Sequence, residues 1–252
     1  MDDYYRQVVI AANWKMYKVK AEAEDFMARF IPLIENNSAQ IVIFPSATLL
    51  GEVASAAVDN VKVGIQNIHW ENQGAFTGEI SAVQAMDSGC SYCLCGHSER
   101  RQYFDEGAEM ITRKAQAALE YGLKPIVCIG ETLQQRENGD TLEVLRDQLF
   151  SSLAGINASE DILIAYEPVW AIGTGMVASA DDAEQAIAYI RTQLGELWGP
   201  TANYISILYG GSVKPDNIKS LMDCPNIDGV LVGGASLLPE SFAAIANYNI
   251  RK

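Results

Sequence analysis

The chain has 252 residues, 49% of them hydrophobic, and a formal net charge of −14. Such a charge speaks against nucleic acid and anionic membranes as partners, and an anionic substrate would need a local positive site against a repelling field. No apolar run approaches the roughly 18 residues of a membrane span, and the acidic start Met1-Asp2-Asp3 lacks a secretory signal's basic and apolar segments, so a soluble cytoplasmic protein is expected.

Short apolar runs alternate with longer amphipathic stretches along the whole chain. Strands are predicted at 8–13, 41–44, 61–65, 92–97, 125–129, 162–166, 205–209 and 229–232. Most are unbroken apolar runs without polar alternation, the pattern of parallel strands buried on both faces. Helices are predicted between them, among others at 20–35, 107–120, 141–153 and 181–197. In the last of these, Ala183, Ile187, Ile190 and Leu194 form one apolar stripe, and Ser179, three residues before Asp182, suits a helix start. No low-complexity tract or linker divides the chain. Eight βα units in one domain over 1–252 predict an α/β fold, a closed (β/α)8 barrel, with a doubly wound open sheet as the alternative.

The five cysteines do not read as a metal site. Cys90, Cys93 and Cys95 are close together, but Cys128 and Cys224 are remote, and His69 and His97 are the chain's only histidines. Zinc spacing would need a second close pair, so no metal is expected, and small buried thiols in a reducing compartment are the simpler reading.

In a parallel barrel the groups that act sit at the C-terminal strand ends. At the first tip, Lys15 shares strand parity with Asn13, so both are expected to face the mouth, where a lysine attracts an anion and stabilises developing negative charge. An ordinary surface lysine and a Schiff-base nucleophile are the alternatives. At the fourth, His97 is expected to end its strand as an acid–base or electrophilic group. A helix starting at Ser98 would lower its pKa and favour the neutral ring. A satisfied core histidine is the competing reading for His97 and the favoured one for His69. At the sixth, Glu167 is a lone carboxylate that Pro168 restricts to extended geometry. The bulky Val169, Trp170 and Ile172 follow beside Gly173 and Gly175. A carboxylate under a movable apolar cover suits proton abstraction in a dry site, although an exposed Glu in an ordinary loop fits the segment alone. After strands seven and eight, Gly210-Gly211-Ser212 and Gly233-Gly234 bare backbone N–H groups for a phosphate, and Gly173-Thr174-Gly175 can add to them.

Taken together the motifs resemble the triosephosphate isomerase family. They are Asn13-Trp14-Lys15-Met16, Gly96-His97-Ser98-Glu99-Arg100-Arg101, Cys128-Ile129-Gly130-Glu131, Tyr166-Glu167-Pro168-Val169-Trp170-Ala171-Ile172-Gly173-Thr174-Gly175, Tyr209-Gly210-Gly211-Ser212-Val213 and Leu231-Val232-Gly233-Gly234-Ala235-Ser236-Leu237. The match runs from about Val8 to Tyr248. It implies a TIM barrel that interconverts glyceraldehyde 3-phosphate and dihydroxyacetone phosphate in glycolysis and gluconeogenesis, with no cofactor and no metal. It also implies Glu167 as the base, His97 as a neutral electrophile, Lys15 with Asn13 complementing the developing charge, and Glu99 in support. By the same match, Gly173, Ser212, Gly233 and Gly234 hold the phosphate together with Asn13 and Lys15, and 168–175 is the lid. That base, imidazole and lid mechanism belongs to the family and is not read from these residues. The resemblance further implies a homodimer through the loop around Phe76 and Thr77, against the alternative of a self-packed loop. Ala12, Tyr17, Cys95 and Met176-Val177 depart from the family's usual residues, the last pair at the lid's C-terminal hinge. An isomerase of a four-carbon ketose phosphate, a Schiff-base barrel aldolase and a non-catalytic phosphate-binding barrel are the rival functions.

Overall fold

In the computed structural model the alternation becomes a closed barrel of eight parallel strands, each paired with its neighbour in sequence and β1 closing on β8. The structure describes residues 6–34, 37–173, 176 and 178–249. The strands are β1 (Val9–Asn13), β2 (Gln40–Phe44), β3 (Val61–Ile65), β4 (Cys90–Cys95), β5 (Lys124–Ile129), β6 (Leu163–Tyr166), β7 (Ile207–Tyr209) and β8 (Gly229–Val232). The helices around them are α1 (Lys20–Phe30), α2 (Leu50–Ala56), α3 (Ala82–Asp87), α4 (Ser98–Tyr103), α5 (Ala108–Glu120), α6 (Leu133–Glu137), α7 (Thr141–Ser152), α8 (Ala180–Trp198), α9 (Ile218–Met222) and α10 (Pro239–Ala246).

Period-two alternation divides each strand between two cores. Val9, Ala11, Val42, Phe44, Leu94, Ile126, Leu163 and Leu208 fill the barrel interior. Ile10, Ala12, Ile41, Ile43, Val127 and Ile164 face the helices. Where the barrel closes, Phe26, Phe30 and Phe242 join α1 to α10, with ring centroids 5.4 and 5.1 Å apart along the row. Each such buried ring contributes about 1.5–3 kcal/mol. The helix after the lid starts as its sequence suggests: Ser179 accepts the N–H of Asp182 and the Asp182 carboxylate reaches back to Ser179.

Two expectations need correction. The first helix ends at Phe30 and tightens into a 3-10 turn, Ile31–Ile34, because Pro32 has no N–H to continue the ladder; its expected end at residue 35 lies outside the described residues. The fourth strand stops at Cys95 and not at His97. Gly96 turns the chain with φ +71°, and His97 becomes the residue that caps α4. Among the described residues no helix is long and apolar enough to cross a membrane.

Candidate active site

At the β1 tip, Asn13 is buried and its side-chain oxygen accepts the backbone N–H of Lys15 at 3.0 Å. Lys15 has φ +52°, so the chain has already left the strand there. Strand parity is therefore not what aims Lys15 at the mouth. A turn held by Asn13, with Gln66 donating to the Lys15 carbonyl at 2.8 Å, does so instead. The Lys15 ammonium pairs with Glu99 at 2.7 Å.

At the β4 and β6 tips, Glu167 and His97 are both buried, with Glu167 Oε1 3.0 Å from His97 Nε2. The other carboxylate oxygen accepts the Ser98 N–H at 2.8 Å. On the far side of the ring, Nδ1 accepts the Glu99 N–H at 3.2 Å, so the proton of the neutral imidazole sits on Nε2, facing Glu167. Burial alone would raise the Glu167 pKa, but the His97 ring, the Ser98 N–H and the Lys15 charge together hold it below the ordinary value. For His97, burial lowers the pKa, yet the Glu167 and Glu99 carboxylates outweigh it and the net shift is upward. The expected depression by the start of α4 is thus reversed: its Glu99 N–H does reach the ring, but the full charges of Glu167 at 3.0 Å and Glu99 at 3.7 Å outweigh it.

Backbone register delivers Glu167. β5 and β6 pair up to Ile129 and Tyr166, and one residue on, the Glu167 N–H still donates to the Ile129 carbonyl at 2.7 Å. A Cβ at Gly130 would lie 1.7 Å from the Glu167 carbonyl oxygen, so only glycine permits the approach.

Asn13, Lys15, His97, Glu167, Gly173, Ser212, Gly233 and Gly234 line one cavity of about 290 Å³. Gly210, Gly211, Val213, Lys214, Leu231 and Ala235 complete it, together with Ala171 and Ile172 from the lid. Glu99 does not line this cavity; it meets it through Lys15 and lines an adjoining one of about 480 Å³ with Met16 and Phe104. One side of the main cavity thus carries Lys15, His97 and Glu167, and the other is rich in glycine, with Lys214 its one titratable side chain. No group of three or more His, Cys, Asp or Glu side chains that could hold a metal occurs among the described residues. Cys90, Cys93, Cys95 and Cys128 are buried free thiols. His69 is buried, its Nδ1 accepting the Glu71 N–H and its ring 4.2 Å from those of Trp70 and Phe76.

The segment expected to be a lid begins at Pro168 and makes a 3-10 turn over Val169–Ala171; Thr174, Gly175 and Val177, the last at the expected hinge, lie outside the described residues. Trp170 Nε1 donates to Glu131 at 2.8 Å and Tyr166 donates to the same oxygen at 3.2 Å. Arg136 lies over the Trp170 ring at 4.4 Å and bonds Asp182 at 2.8 Å, so it spans from the start of the lid to the helix that follows it. Glu131 falls within one of the motifs but the sequence gives it no part, and nothing in the sequence marks out Arg136. The usable signal was a carboxylate at the β5 tip, next to the strand that carries the lid.

The fold and this geometry agree with comparisons to known proteins. The family described as triosephosphate isomerase matches residues 8–249. The triosephosphate isomerase of Moorella thermoacetica is 50% identical over 247 residues, covering 97% of this chain and 99% of that protein. That of Geobacter metallireducens is 51% identical over 248 residues, with 96% and 99% covered. A crystal structure of triosephosphate isomerase from Bartonella henselae superposes with a TM-score of 0.89 at 34% identity, over 97% of this chain and 100% of that one. With a match along nearly its whole length, the chain belongs to the triosephosphate isomerase family.

Proposed function

We propose that this chain, acting as one barrel domain over 1–252, is the enzyme that interconverts glyceraldehyde 3-phosphate and dihydroxyacetone phosphate, a step of glycolysis and gluconeogenesis. The observation that carries the reading is one cavity with Glu167 against His97 on one side and glycine-rich β7 and β8 tips on the other. Glu167 takes the proton from one carbon of the triose and returns it to its neighbour. The His97 Nε2–H donates to the substrate oxygens as charge develops on them. As Glu167 accepts its proton, the charge that most raises the His97 pKa is lost while burial persists, which favours the neutral ring.

Lys15 supplies the local positive charge that a chain of net charge −14 needs to hold a phosphate, with Asn13 fixing its turn and Glu99 its ammonium. The N–H groups of Gly173, Ser212, Gly233 and Gly234 receive the phosphate oxygens. The Glu99 ion pair also argues against the aldolase, whose lysine must be a free amine. Turnover with both triose phosphates and with erythrulose phosphates tests the assignment. Fast interconversion of the trioses is expected, and a higher kcat/KM on a four-carbon substrate would overturn it.

The chain acts in the cytoplasm as a homodimer on this reading. Phe76 is 43% exposed even though its ring packs on His69, and Met16 and Phe104 are exposed beside the adjoining cavity. Apolar surface next to a glycine-flanked loop suits a second copy inserting Phe76 and Thr77. Sedimentation at nanomolar concentration tests this, with a fully active monomer as the contrary result.

A further inference from the structure

β5 outlasts its neighbour. Its ladder with β4 ends at Cys95 and Val127, because Gly96 turns β4 away into the His97 cap. Cys128 and Ile129 at the end of β5, with Gly130 and Glu131 just beyond it, form the surface on which the base is mounted. On the β6 edge the ladder is continued by backbone: Glu167 N–H to the Ile129 carbonyl at 2.7 Å, and Val169 N–H to the Glu131 carbonyl at 3.0 Å. On the vacated β4 edge the alternate residues Cys128 and Gly130 have lost their strand partner, and buried backbone groups without partners are rarely tolerated.

Side chains take the place of the strand there. Arg101 Nη2 donates to the Cys128 carbonyl at 2.8 Å while its Nε holds the Gly96 carbonyl, also at 2.8 Å. Gln148, reaching inward from α7, accepts the Gly130 N–H at 2.8 Å and donates to the Gly130 carbonyl at 3.0 Å. A primary amide offers a donor and an acceptor side by side, as a neighbouring peptide would. Gly130 is also where the Glu167 carbonyl packs with no room for a Cβ.

We propose that Gln148 is a positioning residue for the reaction: its amide stands in for the missing β4 strand, pins the Gly130 peptide, and thereby fixes the backbone that carries Glu167. The proposal rests on Glu167 being the base. Gln148→Leu keeps the volume and removes both bonds. It is expected to lower kcat about tenfold, with KM and inhibition by inorganic phosphate within twofold of the parent, because Gln148 bonds Gly130 and none of the phosphate-holding groups.

Gln148→Glu supplies the readout that a merely structural role would not move. A carboxylate accepts the Gly130 N–H but cannot donate to the Gly130 carbonyl, and protonation restores that donor. The kcat of Gln148→Glu relative to the parent should therefore rise as pH falls toward the ordinary carboxylate range, about 4–5. In a Glu167→Gln background, Gln148→Leu should cost little further rate, since residues that act through one group are not additive. Glu167→Gln turning over near the parent rate would remove the base and this proposal with it. With the base intact, the proposal alone fails on any of three results: full additivity, a pH-independent ratio for Gln148→Glu, or a kcat for Gln148→Leu within twofold of the parent.

Discussion

The tips of β4, β5 and β6 and the tips of β7 and β8 face each other across one cavity but are built on opposite plans. β4 and β6 present ionisable side chains held from behind, Glu167 by Ser98 and His97, and His97 by Glu99, while β5 supplies the peptide beneath Glu167 that Gln148 holds. The last two present glycine turns, Gly210-Gly211 and Gly233-Gly234, with Lys214 the one titratable side chain that lines the cavity from that side. Proton transfer needs one group at one distance, so its support is rigid and redundant. Holding a phosphate needs several N–H groups and room, and removing side chains supplies both. The contrast teaches that a given change at the two places should produce different kinds of damage: lost kcat on the first side, weakened binding on the second.

The sharpest break is Glu167→Gln. It keeps the shape and hydrogen-bonding reach of the side chain and removes the base. kcat is expected to fall about a thousandfold, within the span of general acid–base effects. Inhibition by inorganic phosphate should stay within a fewfold of the parent. A loss of kcat below tenfold, about 1.4 kcal/mol of barrier, would make another group the base.

Gly130→Ala attacks the same side through the backbone. The added methyl would fall 1.7 Å from the Glu167 carbonyl oxygen, so either β5 or the base must move. Displacement of a reacting group by about 1 Å costs on the order of a hundredfold, and kcat should drop by that amount while KM changes little. Steady-state kinetics with both trioses decides it; an unchanged kcat would show that the two tips can part without harm.

Much of this side was legible in the sequence, and the rest was not for identifiable reasons. The strands could be read because parallel strands buried on both faces are apolar throughout, and Glu167 stood out as the one carboxylate between an apolar run and Pro168. The aim of Lys15 was expected for the wrong reason, since a turn at φ +52° leaves no trace in strand parity. The raised pKa of His97 depends on Glu167, 70 residues away, and only the closed barrel brings the two together. Gln148 reads as a solvent-facing helix residue, because nothing local tells that β4 stops short at Gly96 and leaves β5 an open edge.

Beneath the β4 tip lies a further support, whose side chains do not line the main cavity. Glu106 is buried, accepts the Gly96 N–H, and pairs with Arg100 and Lys114 at 2.6 Å each. Burial would raise its pKa, but the two cations hold it below the ordinary value. A carboxylate lowered on folding adds stability that is complete above the unfolded value, about 4.3, and is lost as pH falls through the folded value. Glu106→Gln leaves the Lys114 charge buried beside a neutral amide, a type of change that costs about 3–5 kcal/mol, or on the order of 10 °C in Tm at pH 7. The gap between parent and variant should narrow as pH falls below about 4, because acid neutralises Glu106 in the parent as well. Thermal melts across pH test this, and a gap independent of pH would remove the ion pairs as its cause.

The smallest expected effect comes from the same substitution as at β5, moved to the opposite tip. A Cβ at Gly234 meets no heavy atom within 4 Å, in contrast to the direct overlap at Gly130. Gly234→Ala should therefore leave Tm within about 1 °C, since surface changes away from packed contacts usually stay within about 0.5 kcal/mol. Its backbone N–H also remains in place, so no donor is lost. What changes is the room in front of that donor, in a cavity of about 290 Å³ that Gly234 helps to line. A methyl there should raise KM and the inhibition constant for inorganic phosphate together, by about threefold, roughly 0.7 kcal/mol. kcat should stay at the parent value, because a loss shared by ground and transition states leaves the chemical step alone. The two alanines then form a matched pair, one methyl at each of two strand tips, with kcat lost at β5 and affinity lost at β8. If Gly234→Ala instead lowered kcat with KM unchanged, the β8 tip would have to take part in the proton transfer itself, and the division of labour between the two sides of the cavity would fall.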